Sequence, residues 1–238
     1  MSDLRRFFAS EASFPLTISG EEFNHAVNVL RIRQGEKVIV CDNTGAEYIC
    51  EIEKINKKDF LLNFLEKRQS DTEAKEDVML ICGYLKGDKT ELVVQKAVEL
   101  GAKKIVVFNS QFCASFMSEN KLNRLNKVSL EASKQCGRAI APKVEYADTF
   151  IKALEFGKDY KNKLFACEFA SKSTVDLNSL NGSTAIVIGS EGGFSQEESE
   201  LAKEYDYQTV SLGKRILRAE TASIALLAIV MQAIGELQ

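Results

Sequence analysis

From Val78 onward the chain alternates short, continuous apolar runs with stretches of helical periodicity, and this alternation constrains its fold more than any other feature. The runs are Val78-Met-Leu-Ile-Cys82, Lys104-Ile-Val-Val-Phe108, Lys143-Val-Glu-Tyr-Ala147, Lys163-Leu-Phe-Ala-Cys167, Thr184-Ala-Ile-Val-Ile188 and Tyr207-Gln-Thr-Val-Ser-Leu212. Strands of this kind are buried on both faces, and the helices between them supply the crossovers of a parallel sheet. Helices are expected over residues 89–100, around 119–135, and from about Arg218 to Leu237. Residues 78–238 therefore read as one α/β domain with a mostly parallel sheet.

The first seventy residues have a different character. Residues 36–41, 46–52 and 60–65 are strand-like, and Asp42-Asn-Thr-Gly45 between the first two supplies residues that tolerate positive φ in a hairpin turn. Phe23, Val27 and Leu30 repeat at helical spacing over residues 20–31. Residues 1–70 thus read as a small barrel-like β domain. The run 71–77, at the end of a polar stretch that starts at Lys67 and buries almost nothing, reads as a linker.

Composition narrows the function classes. The longest apolar runs, such as 224–230, fall well short of the roughly 20 residues that cross a bilayer. The start, Met-Ser-Asp-Leu-Arg-Arg, lacks an apolar signal segment, so a cytoplasmic protein with no membrane partner is expected. The 238 residues contain one histidine, His25, and six cysteines without a Cys-x-x-Cys pair. That argues against zinc, or any other metal, and against a histidine-based hydrolase. A net charge of −3 does not announce a nucleic-acid binder. From Lys121 to Lys143, however, six basic residues stand against Glu131 alone, which suits either a phosphate-facing surface or a solvated helix face.

Two segments carry site-like chemistry. Gly189-Ser-Glu-Gly-Gly-Phe194 follows the run 184–188 directly, and Ser195 with Glu198 forms a capping box for the next helix. Ligands of parallel α/β sheets bind at strand carboxyl ends, where glycines let backbone approach them closely. The spacing is not G-x-G-x-x-G, which disfavours a dinucleotide. The second segment, Val210-Ser-Leu-Gly-Lys-Arg-Ile-Leu-Arg-Ala-Glu-Thr-Ala-Ser223, places Arg218 and Glu220 at a strand-to-helix junction beside small residues. Simple helix capping by Glu220 and Thr221 is the structural alternative. A phosphate-loop reading of Gly83-Tyr-Leu-Lys-Gly-Asp-Lys-Thr90 fails, because three residues separate its glycines and Asp88 precedes Lys89.

Taken together, Ile188-Gly-Ser-Glu-Gly-Gly-Phe194 and Ser211-Leu-Gly-Lys-Arg-Ile-Leu-Arg-Ala-Glu-Thr-Ala222 closely resemble the ribosomal small subunit methyltransferase E family of the SPOUT superfamily. Arg5-Arg-Phe-Phe8, His25-Ala-Val-Asn-Val-Leu-Arg31, Lys86-Gly-Asp-Lys89, Gln95-Lys-Ala-Val-Glu-Leu-Gly101 and Glu131-Ala-Ser-Lys-Gln-Cys-Gly-Arg138 extend the resemblance over nearly the whole chain. The chain departs from the family in having Ser190 where proline is usual, and Phe112 about where an arginine is common in the segment 111–115.

The resemblance implies an N-terminal PUA-like β-barrel, a SPOUT domain with a trefoil knot, and a homodimer. It also implies S-adenosyl-L-methionine as methyl donor and N3 of a uridine in 16S rRNA of the assembled small subunit as acceptor, with U1498 the family target. Gly189, Glu191, Gly192, Gly193, Leu212, Gly213, Ile216, Leu217, Thr221 and Ala222 would hold the cofactor. Arg218 and Glu220 are the catalytic candidates. Arg5, Arg6, Arg31, Lys86, Lys89 and Arg138 are the candidate RNA contacts. The rival readings are a SPOUT enzyme acting on ribose 2′-OH or transfer RNA, and a non-catalytic ribosome-assembly factor.

Overall fold

The computed structural model describes residues 4–9, 12–113, 116–167 and 173–237. They fall into two compact units, Met1–Glu73 with Ser133–Ala141, and Ala74–Ala132 with Pro142–Gln238.

The first unit is a five-stranded sheet carrying one helix. Its elements are β1 (Arg6–Phe8), β2 (Leu16–Ser19), α1 (Gly20–Asn28), β3 (Lys37–Cys41), β4 (Ala46–Ile55) and β5 (Asp59–Gln69). The strand order is β1-β3-β4-β5-β2. Only the β1–β3 pairing is parallel. The β3–β4 hairpin turns at Asn43 (φ 62°) and Gly45 (φ 90°). Asp42 stabilises it by accepting the Thr44 N–H at 3.0 Å, so the turn rests on residue types that tolerate positive φ. Register shifts after Ile49 and Ile52 mark irregularities in the β4–β5 ladder, the kind that bend a sheet. Phe7, Phe23, Val38, Val40, Ile52, Phe60 and Leu62 fill the core. β1 and β2 escaped the sequence reading because three or four residues show too little alternation.

Residues 133–141 belong to this first unit through polar contacts that periodicity cannot announce. Glu73 accepts from Arg138 Nη2 at 2.7 Å and from the backbone N–H groups of Ala139 and Ile140 at 3.0 Å. Thr72 donates to the Gly137 carbonyl at 3.0 Å, and Asn43 accepts from the Ala141 N–H at 2.9 Å.

The second unit is a six-stranded sheet of β6 (Val78–Gly83), β7 (Lys104–Phe108), β8 (Val144–Ala147), β9 (Asn162–Ala166), β10 (Thr184–Ile188) and β11 (Gln208–Val210). Its order is β11-β9-β10-β6-β7-β8, and every pairing is parallel. The helices are α2 (Lys89–Glu99), α3 (Glu119–Cys136, whose last turn lies in the first unit), α4 (Phe150–Phe156), α5 (Gln196–Glu204) and α6 (Ala219–Ala233). All six residues of β6 and all five of β10 are buried, as their unbroken apolar character requires. Met79, Ile81, Ala185 and Val187 face α4 and α5 in a core with Phe150, Leu154, Phe194 and Ala202. The alternate residues face the opposite side, where α6 packs on β6, β10 and α2. Helix α4 escaped the sequence reading because it has only two turns; Thr149 caps it by accepting the Lys152 N–H at 3.2 Å.

Candidate cofactor site

Because every strand of the second sheet runs the same way, the carboxyl ends of β9, β10 and β11 lie along one edge. The chain leaves β8 at one end of the sheet and re-enters at β9, on the far side of β6. Such a reversal of strand order opens a crevice for ligands.

The loop after β10 is shaped by close backbone approach. A Cβ on Gly83, at the end of β6, would lie 2.5 Å from the Ser190 nitrogen. The loop closes on itself through the Gly193 N–H, which donates to the Ser190 carbonyl at 3.0 Å, and Gly193 adopts φ 68°. Ser190 is buried, with its hydroxyl 2.9 Å from that of Ser110. The position that usually holds proline is thus fastened by a side-chain hydrogen bond. Phe194 anchors the far end against Phe165, ring centroids 4.3 Å apart. The expected capping box is present, Ser195 accepting the Glu198 N–H at 3.1 Å while Glu198 accepts the Ser195 N–H at 3.0 Å. The Glu198 carboxylate also accepts the Gln111 N–H at 3.1 Å.

The second loop, residues 211–218, belongs to no helix or strand. Gly213 has φ 103° and open space where a Cβ would sit. Arg218 occupies the N-cap position of α6 without a side-chain capping bond, so helix capping does not account for it. Glu220 in the first turn is not a cap either; its Oε1 lies 3.8 Å from Lys89 Nζ, and its Oε2 is buried without a hydrogen-bond partner among the described residues.

Between these loops lies a cavity of about 420 Å³. Gly189, Glu191, Gly193, Leu212, Gly213, Ile216, Leu217, Arg218 and Ala222 all line it. Gly192 and Thr221 are not among its lining residues: Gly192 lies against Phe112, and Thr221 is exposed on the first turn of α6. The lining also contains Lys214 and Arg215 of the second loop, together with Lys89, Ala166, Cys167 and Ser211, which sequence reasoning did not place at the cofactor. Ala166 and Cys167 end β9, and only the strand order reveals that β9 flanks β10. Glu191 accepts the Lys86 N–H at 3.0 Å and faces Lys89 Nζ at 3.3 Å. Partial burial alone would raise its pKa, but these donors hold the carboxyl below the ordinary carboxylate range. Among the described residues no cluster of histidine, cysteine and acidic side chains could hold a metal. No described helix is long and apolar enough to cross a membrane.

The candidate RNA contacts separate into two groups. Arg31 and Lys86 are exposed, and Arg5 pairs with Glu36 at 2.9 Å on a half-exposed surface. Arg6 pairs with buried Glu47 at 2.6 Å, and Arg138 is 3% exposed with its guanidinium on Glu73. Both of these charges are engaged within the first unit. Nor is the basic stretch from Lys121 a uniform free surface. Arg124 pairs with Glu91 at 2.8 Å, Lys134 pairs with Glu22, and Lys121 lies over the Tyr84 ring at 4.8 Å. Phe112 is half exposed; Ala114 and Ser115 of the segment that usually carries an arginine lie outside the described residues.

Residues 72–231 match the RNA methyltransferase domain family, and residues 18–65 match the RNA methyltransferase PUA domain. Ribosomal RNA small subunit methyltransferase E of Bacillus subtilis is 33% identical, over 87% of this chain and 86% of that protein. Its counterpart in Mesomycoplasma hyopneumoniae is 32% identical, over 93% and 96%. The crystal structure of the Neisseria gonorrhoeae protein of that name, bound to S-adenosyl methionine, superposes with a TM-score of 0.90 at 27% identity, covering 99% of this chain and 100% of the other.

Proposed function

The chain belongs to the ribosomal RNA small subunit methyltransferase E family, and on that premise we propose that it methylates N3 of a uridine in the 16S rRNA of the assembled small subunit. S-adenosylmethionine is the proposed donor, and the family's U1498 the proposed position. The observation that carries this reading is the cavity at the ends of β9, β10 and β11. About 420 Å³ lies within the roughly 300–1,000 Å³ typical of small-ligand sites. The residues fit the donor. Gly213 leaves space at the wall, and the backbone groups of 212–217 are not committed to a helix or sheet, so they are available to adenine and ribose. Lys214 and Arg215 supply positive charge for a carboxylate.

When bound, S-adenosylmethionine supplies a methyl group already activated on a sulfonium, so positioning is the protein's main task. Uridine N3 becomes a good nucleophile only as its proton leaves and negative charge spreads onto the ring carbonyls. Arg218, exposed at the cavity, is placed to offset that charge. Glu220, which follows in the first turn of α6 and is not among the residues lining the cavity, is proposed to orient Arg218 or to assist proton removal. N3 lies on the Watson–Crick edge, so the uridine must be unpaired or flipped out.

We infer further that the PUA domain helps hold RNA, with exposed Arg31 and Lys86 among its contacts and those of the second unit. The chain is proposed to carry the trefoil knot of SPOUT folds and to act as a cytoplasmic homodimer. Ile216, 85% exposed at the rim of the cavity, is a side chain that a second copy would cover.

Arg218→Ala is the direct test of the site. It should lower methyl transfer by about 10²–10³-fold, the usual worth of one charge-stabilising group, while calorimetry shows cofactor affinity within about twofold of wild type. Undiminished transfer would remove Arg218 from the mechanism, and absence of cofactor binding by the wild type would favour a non-catalytic assembly factor.

A further inference from the structure

The turn that follows β7 is fastened to the glycine loop and the start of α5 at three consecutive residues. The hydroxyls of Ser110 and Ser190 lie 2.9 Å apart, the Gln111 N–H donates to Glu198 Oε1 at 3.1 Å, and Phe112 packs on Gly192. That last contact is close: a Cβ on Gly192 would lie 2.5 Å from the Phe112 Cβ and 3.1 Å from the Phe112 carbonyl oxygen. Cys113 completes the turn, its N–H donating to the Ser110 carbonyl at 3.1 Å and its thiol to the Tyr84 carbonyl at 3.4 Å. The backbone of Phe112 is thus tied to the loop that walls the cofactor cavity.

The Phe112 side chain nevertheless faces solvent, and the residue is 48% exposed. A single exposed apolar side chain is ordinary. This one differs in standing on a pinned turn, against a glycine whose two neighbours, Glu191 and Gly193, line the cavity. Gly192 and Phe112 do not line it, so the ring lies beside the cavity and not within it. Two exposed lysines accompany the turn. The Lys86 N–H is bound to Glu191 at 3.0 Å while its side chain is exposed. Lys121 Nζ lies 4.8 Å over the ring of Tyr84, whose carbonyl holds Cys113. Glu191, the carboxylate next to Gly192 in the chain, is opposed by Lys89 at 3.3 Å. A flat apolar face accompanied by cations matches the chemistry of a single-stranded nucleotide, in which the base stacks and the phosphates meet positive charge.

We propose that Phe112 stacks on an unpaired base that neighbours the acceptor in the same RNA strand. With the acceptor presented at the cavity, the strand passes over the glycine loop and its adjoining base rests on the Phe112 ring. A base drawn out of its stack loses its neighbours, and the ring supplies a replacement face. Because the turn is already fixed, little ordering cost accompanies the contact. Stacking tolerates any base, so Phe112 fixes where the strand lies and leaves the choice of acceptor to the cavity. The inference rests on the reading of the chain as an rRNA methyltransferase.

The test uses the full-length protein, S-adenosylmethionine and small subunits lacking the modification, comparing wild type with Phe112→Ala, Phe112→Leu and Phe112→Tyr. Phe112→Ala should raise KM for the subunit by about 5–100-fold, the worth of one stacked base. Its kcat should stay within about twofold, because this contact serves ground and transition states alike. Phe112→Tyr, which keeps a ring, should restore most of the affinity, whereas Phe112→Leu, apolar without a π-face, should stay close to Phe112→Ala. The salt dependence of KM should keep its slope in Phe112→Ala, since stacking releases no counterions. An unchanged KM in Phe112→Ala, or full recovery in Phe112→Leu, would overturn the proposal. So would a loss of cofactor affinity by calorimetry, which would make Phe112 a brace for the glycine loop. A smaller mass than wild type in sedimentation equilibrium would assign the ring to contact with a second copy of the chain, and would overturn it equally. Failure of the wild type to label rRNA would instead remove the reading beneath it, before any variant is compared.

Discussion

Glu47 shows how a single carboxylate organises the first unit. It is 2% exposed and lies 2.6 Å from both Arg6 and Arg68. Burial alone would push its pKa up, but the hydrogen bonds from Arg6 and Arg68 prevail and hold it below the ordinary range. A carboxyl whose native pKa is depressed adds stability above its unfolded pKa, and that stability disappears as pH falls through the native value. Glu47→Gln strands the Arg6 guanidinium, so urea denaturation at neutral pH should show a loss of about 3–5 kcal/mol, as when a buried pair is broken. In acid the variant and wild-type curves should converge. Curves that stay parallel down through the acid range would place the stabilising charge elsewhere. At this scale the sequence was partly legible. The residues of the two cavity loops stand in motifs whose glycines and charges have an evident use. The roles of Arg6 and Arg138 were not, because an arginine paired with a buried carboxylate has the same letter as one awaiting a phosphate.

The strand ends and the loops they support decide the geometry of the cavity. Gly83 shows the dependence, since a methyl group there would meet the backbone of the glycine loop at 2.5 Å, and backbone cannot rotate aside. Gly83→Ala should therefore displace residues 189–190, with strain of about 1–3 kcal/mol. Calorimetry should record this as a loss of roughly 5–100-fold in cofactor affinity, with the far-ultraviolet spectrum unchanged. Unaltered affinity would mean that the loop is more pliant than its packing indicates. Elements with strong internal pattern were readable in advance: β7 and β10 begin and end where their apolar runs do, and the Ser195–Glu198 capping box fixes the start of α5. Glycine 83 was visible only as part of a failed phosphate loop, because its neighbour at position 190 is distant in sequence.

For the whole molecule, the sequence indicated two units and a parallel sheet, while strand order depended on packing. Continuous apolar runs reveal that β6 and β10 are interior, yet not that β10 lies between β9 and β6. That adjacency creates the cavity and brings Cys167 to its wall. Similarly, residues 133–141, the last turn of α3 and the segment after it, belong to the first unit, held by Glu73 and Thr72 through contacts between polar groups. The proposed cofactor and acceptor rest on the family resemblance together with the cavity, since neither charge nor composition indicates RNA. The most direct test is transfer of labelled methyl groups to small subunits from cells lacking this activity, followed by nucleoside mass spectrometry of the 16S rRNA. N3-methyluridine is the expected labelled nucleoside, formed on assembled subunits in preference to free rRNA. A 2′-O-methyl nucleoside, or no label at all, would contradict it.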